Sequence, residues 1–228
     1  MCVRARGRGP KRLKLRSNGK QVFVTAPILL TGFQPFGEHA VNPTALLMER
    51  LAGGPGVVTA VLPVEYDVCG EVFAALVAEH RPMAALCFGL AARSDYIKIE
   101  RLAWNRDESE QADNAGVVRT DAPIVADGPT AYGSALPIPT LMRELAIAGL
   151  PVTFSDFAGG FVCNHLFYRA RHLIETQGLD LPMGFVHLPP LPEQVADEPG
   201  RIGLPLDRQE LAVRTLVGLL CQGLGDVA

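Results

Sequence analysis

The residue with the most chemical potential in this chain is a thiol placed just after two adjacent glycines. In the run Ala158-Gly159-Gly160-Phe161-Val162-Cys163-Asn164-His165, the preceding segment Pro151–Phe157 is rich in β-branched and aromatic residues and reads as a strand. Beyond it, Val162, Leu166, Ala170 and Leu173 recur at helical spacing. Cys163 is therefore expected at or near a helix N-terminus, where free N–H groups and the helix dipole favour a thiolate and can receive an oxyanion. The competing reading is a small buried hydrophobe, the usual fate of an unpaired cysteine.

A cysteine nucleophile needs a base. His39 lies in a Gly/Pro/Asn loop, His80 ends a helix expected to be exposed and His172 sits beside Arg171. His165 is two residues from Cys163, and residues two apart do not face each other on a helix. His187 falls in Gly184-Phe185-Val186-His187-Leu188-Pro189, a short strand stopped by prolines, and so near a strand end. A hydrogen-bonded edge histidine fits the same pattern. A third group must orient the imidazole. Glu100 lies in an alternating segment, with Ile97 and Ile99 on one side and Lys98 and Glu100 on the other. Composition alone favours an ion-paired surface glutamate. The loop Gly32-Phe33-Gln34-Pro35-Phe36-Gly37 matches neither a dinucleotide fingerprint nor a phosphate loop. Its two aromatics suit the walls of a flat apolar slot, or the stapling of the loop to the core.

These residues need a scaffold. Strands are expected at 28–32, 57–62, 84–88, 96–102, 152–155 and 184–188, and helices at 43–51, 67–80, 138–148, 164–176 and 207–224. Asn42-Pro43 is favourable first-turn chemistry, and Gly149 and Gly178 stand where helices should stop. The alternation implies an α/β fold with a mostly parallel central sheet, helices on both faces and sites at the carboxyl ends of strands. The polar stretch 104–135, rich in Gly, Pro, Asp and Asn, reads as a long functional excursion.

Composition narrows the class. With 228 residues, 48% hydrophobic and 20% charged, the chain suits one globular domain. Five widely spaced cysteines form no CxxC pair or disulfide framework, which points to a reducing cytoplasm and no metal. Eight of the 21 Lys and Arg fall in residues 1–20, which hold no Asp or Glu. The remaining 13 face all 24 acidic residues, a balance of −11 that argues against a nucleic-acid partner. Residues 1–26 are expected to be a disordered basic extension, or to precede the true start, and 27–228 the functional domain. No segment approaches a membrane span, and 22–30 is a poor signal peptide.

Together these segments resemble the pyroglutamyl peptidase I (pyrrolidone-carboxylate peptidase) family of cysteine peptidases. The resemblance runs from about Ile28 to Gln194. It rests on Thr31–Gly37, Asn42-Pro43-Thr44, Glu100–Asn105, Asp113-Asn114-Ala115-Gly116, Gly128–Ala131, Leu136-Pro137-Ile138, the Cys163 segment and Gly184–Gln194. It implies a cytoplasmic enzyme without cofactor that removes N-terminal pyroglutamate from peptides. It also implies a single-domain three-layer α/β/α sandwich, commonly a homotetramer. The family's triad falls on Glu100, Cys163 and His187. Its ring pocket falls on Phe33, Phe36 and Phe161, with Asn42 and Leu90 also at the substrate site. Where the family commonly reads Gly-Gln-Ala-Gly-Gly-Arg, this chain has Gly89-Leu90-Ala91-Ala92-Arg93-Ser94. Glu110 stands where an arginine is frequent, with Arg106 as a candidate substitute. Two other functions fit the same residues: a hydrolase of the same scaffold with shifted specificity for cyclic or N-blocked amides, and a non-catalytic lactam-binding protein.

Overall fold

The computed structural model describes residues 12–17 and 20–222; side-chain statements below concern residues 26–222. Strands β1 (Arg12–Ser17) and β2 (Lys20–Thr25) form a separate antiparallel hairpin within the stretch expected to be an extension. The rest of residues 1–19, and the tail beyond 222 into which the last helix was expected to run, lie outside the described residues.

A six-stranded sheet organises the domain. Its strands are β3 (Ile28–Phe33), β4 (Val57–Leu62), β5 (Ala84–Leu90), β6 (Ile97–Glu100), β11 (Val152–Ser155) and β12 (Met183–Leu188). They lie in the order β11-β6-β12-β5-β3-β4. Every pairing is parallel except β12 with β6, so β6 and β11 run against the other four. All seven residues of β5 are buried, as expected of a central strand covered on both faces.

The period-two alternation of the strands divides the core in two. Leu29, Ala85, Cys87, Met183 and Phe185 pack against helices α2 (Val68–His80) and α4 (Val162–Thr176). Ile28, Leu30, Leu86, Phe88, Ile97, Ile99 and Val186 pack on the opposite face. There they meet α1 (Pro43–Leu51), α3 (Ile138–Ile147) and α5 (Leu206–Cys221). The result is a three-layer α/β/α sandwich. Gly149 and Gly178, at φ 70° and 60°, terminate α3 and α4 in the left-handed conformation.

The structure departs from the sequence reading most clearly around Arg101, at the end of β5 and at the start of α4. The expected strand 96–102 divides at Arg101, whose side chain turns to Asp156 and lies 3.9 Å over the Phe154 ring. The chain then leaves the sheet as β7 (Leu102–Trp104), which pairs with β10 (Ala131–Gly133). Between them, β8 (Asp107–Ser109) pairs with β9 (Arg119–Ala122), so the excursion is two small ribbons. Strand β5 extends two residues further than its apolar run suggested, to Leu90, and α4 begins two residues earlier, at Val162.

Candidate active site

Glycine chemistry delivers the thiol. Gly159 has φ +86°, which L side chains rarely adopt. A Cβ on Gly160 would lie 2.1 Å from the carbonyl oxygen of Glu108. The turn therefore closes against β8, and Cys163 becomes the second residue of α4. The first intrahelical bond runs from the His165 N–H to the Phe161 carbonyl, at 3.2 Å. A helix leaves its earliest N–H groups without intrahelical partners, so those around Cys163 face outward with the positive end of the dipole.

Strand pairing assembles the rest. Glu100 lies opposite Phe185 in the antiparallel β6–β12 pair, and His187 opposite Lys98. Glu100 and His187 are thus diagonal neighbours on the α4 side of the sheet. Nδ1 of His187 sits 2.8 Å from Oε1 of Glu100, with Glu100 fully buried and His187 nearly so. Cys163 lines the same cavity as His187 and is close enough to favour its charged form. Burial alone would lower the imidazole pKa, but Cys163 and Glu100 outweigh it and push it up to about 9. The neighbouring strand must make room, since a Cβ on Gly89 would lie 2.7 Å from the Cys163 Sγ. Gly89→Ala is therefore expected to lower kcat/KM about 100-fold, because misplacing a reacting atom by an ångström costs about that much. Parallel kinetics and thermal melts check this; unchanged kinetics in a folded variant refutes it.

A second buried network fixes the base of the site. Nδ1 of His165 lies 2.8 Å from Oδ2 of Asp107, and its Nε2 accepts the Asp67 N–H at 3.1 Å. Arg119 bridges Asp67 and Asp107, and its partnership holds the Asp67 carboxyl below the usual carboxylate range. Asp113 accepts the Tyr66 N–H at 2.9 Å, while the Asn114 amide donates to the Pro35 carbonyl at 3.0 Å. These bonds tie the excursion to the loops after β3 and β4. His165 is thus fully buried and held away from the sulfur by its own partners.

Cys163, His187 and Glu100 open into a cavity of about 510 Å³, a size suited to a small-molecule ligand. Phe36, Leu90, Phe161, Cys163, His187 and Glu100 all line it. Two residues expected there do not. Phe33 is 2% exposed and packs on Phe185, so of the two loop aromatics one staples and one forms a wall. Asn42 is 1% exposed: its Oδ1 accepts the Thr44 N–H to cap α1, and its amide donates to the Gln34 carbonyl. Together with the 2.9 Å bond from the Phe33 N–H to Thr44 Oγ1, this shapes the aromatic loop from behind. Arg106 pairs with Glu108 and Asp121 and does not reach the cavity, nor does Glu110 line it. The sequence reading missed His39, Arg93, Lys98, Gln111 and Phe157 in the lining. Of these, Lys98 carried a signal in its shared strand face with Glu100, and Arg93 in its place within the Gly89–Ser94 segment.

Comparison with known proteins agrees with this geometry. A family model described as pyroglutamyl peptidase matches residues 26–220. The pyrrolidone-carboxylate peptidase of Bacillus licheniformis is 40% identical over 176 residues, covering 75% of this chain and 82% of that protein. The crystal structure of pyroglutamyl peptidase I from Bacillus amyloliquefaciens superposes with a TM-score of 0.83 at 33% identity. That match covers 89% of this chain and all of the other. The pyrrolidone carboxyl peptidase of Pyrococcus furiosus gives 0.81 at 34% identity, over 86% of this chain and 98% of that one. On sequence and fold alike, this chain belongs to the pyroglutamyl peptidase family.

Proposed function

We propose that this protein hydrolyses the amide bond after an N-terminal pyroglutamyl residue of peptides, with Cys163 as nucleophile, His187 as acid and base, and Glu100 as the group that orients it. The observation that carries this is the convergence of Cys163 with the hydrogen-bonded pair His187–Glu100 on one aromatic-lined cavity, in a chain of this family. The pyroglutamyl ring bears no α-amino charge, so a cavity with an apolar wall built by Phe36 and Phe161, which pack on each other with centroids 5.9 Å apart, suits it better than an ordinary N-terminus. The Cys163 thiolate attacks the pyroglutamyl carbonyl, and N–H groups of the first turn of α4 receive the oxyanion. His187 gives its proton to the departing amine as the C–N bond breaks, leaving a thioester. The neutral imidazole then takes a proton from water, the hydroxide displaces the sulfur, and pyroglutamate leaves.

Cleavage of a pyroglutamyl-coumarin amide tests the reading. The expected result is release of coumarin, with prolyl, glutaminyl and acetyl amides far slower. Equal or better cleavage of one of those amides would favour a hydrolase of shifted specificity, a reading supported by Leu90, Ala92 and Arg93 in the cavity lining. The described cysteines are all free thiols, which supports a cytoplasmic home, and among the described residues no helix is long and apolar enough to cross a membrane. A homotetramer is proposed on the family resemblance, supported by the exposed apolar side chains Ile147, Phe154 and Ile202. Light scattering of the purified protein checks it.

A further inference from the structure

Two cations face the cavity without a partner. Lys98 and Arg93 both line it, and among the described residues neither makes an ion pair. The only acidic side chain in the lining is Glu100, and it is bonded to His187. Asp95, the nearest other carboxylate in sequence, is held by Arg201. Lys98 is half-buried on β6, directly opposite His187 and on the same face as Glu100. Because β6 runs against β12, Lys98 lies nearer than Glu100 to the end of the sheet where the site opens.

The strand order gives Lys98 a side relative to the scissile bond. The sulfur lies over Gly89 on β5. The Phe33–Phe36 loop leaves β3 on one flank of β5, whereas His187 and Lys98 follow on the other, on β12 and β6. With the ring against the aromatics and the carbonyl at the sulfur, the departing amine must lie toward His187, which protonates it. The residues that follow pyroglutamate then run over β6. We infer that Lys98, assisted by Arg93 at the rim, is a specificity-determining residue that selects peptides with a carboxylate just after the scissile bond: an acidic side chain, or the free terminus of a dipeptide. This inference rests on the catalytic assignment proposed above.

The experiment compares C-terminally amidated peptides that differ at one position, pyroglutamyl-Glu-Ala, pyroglutamyl-Gln-Ala and pyroglutamyl-Lys-Ala. Wild-type protein is expected to favour Glu over Lys on the order of fivefold in kcat/KM, the equivalent of about 1 kcal/mol. About 1 M salt, which shortens the Debye length to about 3 Å, should erase most of that preference. Lys98→Met, which keeps the apolar stem, should reduce the ratio by at least half, and Lys98→Glu should invert it. Ratios are read within each protein, so a general loss of rate cancels. An equal ratio for Glu and Lys in wild type, or a ratio that Lys98→Met and salt leave unchanged, overturns the inference while cleavage of the Gln peptide keeps the catalytic reading intact. Failure of wild type to cleave any of the three removes the catalytic reading, and this one with it.

Discussion

Cys163→Ala is expected to lower kcat/KM for pyroglutamyl-coumarin amide by at least about 10⁴-fold, because removing the nucleophile of a catalytic unit removes the covalent route altogether. The fold should survive. The substitution deletes one atom at a partly exposed position resting on Gly89, and such a change costs about 1 kcal/mol or less. A melt and an activity assay on the same sample therefore separate chemistry from stability, and full activity in the variant would falsify the assignment. Alkylation adds a second readout. Wild type should lose one thiol to iodoacetamide at a rate that no thiol of Cys163→Ala matches. Cys69 and Cys87 are buried, and burial raises both thiol pKa values, that of Cys87 to about 12. Cys221 is exposed, so Cys163→Ala is the control that assigns the early reaction. Loss of that early reaction in the variant excludes the purely ligand-binding alternative, in which no activated thiol is needed.

Glu100→Gln is expected to cost roughly 10²- to 10⁴-fold in kcat, with a smaller change in KM. A neutral amide no longer stabilises the imidazolium and can turn its NH₂ toward Nδ1, favouring the wrong tautomer. The pH profile carries the sharper test. The folded-state pKa of His187 is raised from 6.5 to about 9, so the proton needed by the leaving amine is held up to that pH. Wild-type activity should therefore fall as pH rises through about 9. The same sign applies to stability: the favourable contribution of the charged imidazole is complete below 6.5 and lost as pH rises through 9. Removing the Glu100 charge and hydrogen bond should move the alkaline limb to lower pH. A variant whose limb stays near 9 would show that Glu100 does not set the imidazole's protonation.

The outcome for individual residues shows where sequence reading succeeds and where it stops. Alternation placed Lys98 and Glu100 on one strand face and Ile97 and Ile99 on the other, and the two isoleucines lie in the core opposite the triad. The paired glycines before Cys163 announced a turn, but the tertiary need for Gly160 came from the Glu108 backbone on β8, while Gly159 is required by its positive φ. Phe33 and Phe36 are equivalent on paper. Their separate fates depend on strand direction, which turns the first toward Phe185 and leaves the second at the cavity. Asn42 belongs to a motif of the site without lining it, since its polar atoms are consumed in capping α1 and gripping Gln34. His165 was set aside on helix geometry, and Asp107 and Asp67 supply the long-range partners that no local pattern reveals.

By itself, then, the sequence determined the α/β alternation with helices on both faces, the thiol at a helix start and the shared strand face of Lys98 and Glu100, because periodicity, turn chemistry and strand faces are local properties of the chain. Tertiary structure alone decided that β6 runs antiparallel to β12, and this pairing sets Glu100 diagonal to His187 and Lys98 at the mouth. It also decided that Gly89 yields its side-chain space to the Cys163 sulfur. Pairing direction and close approach join segments tens of residues apart, and those energies exist only once the sheet has formed.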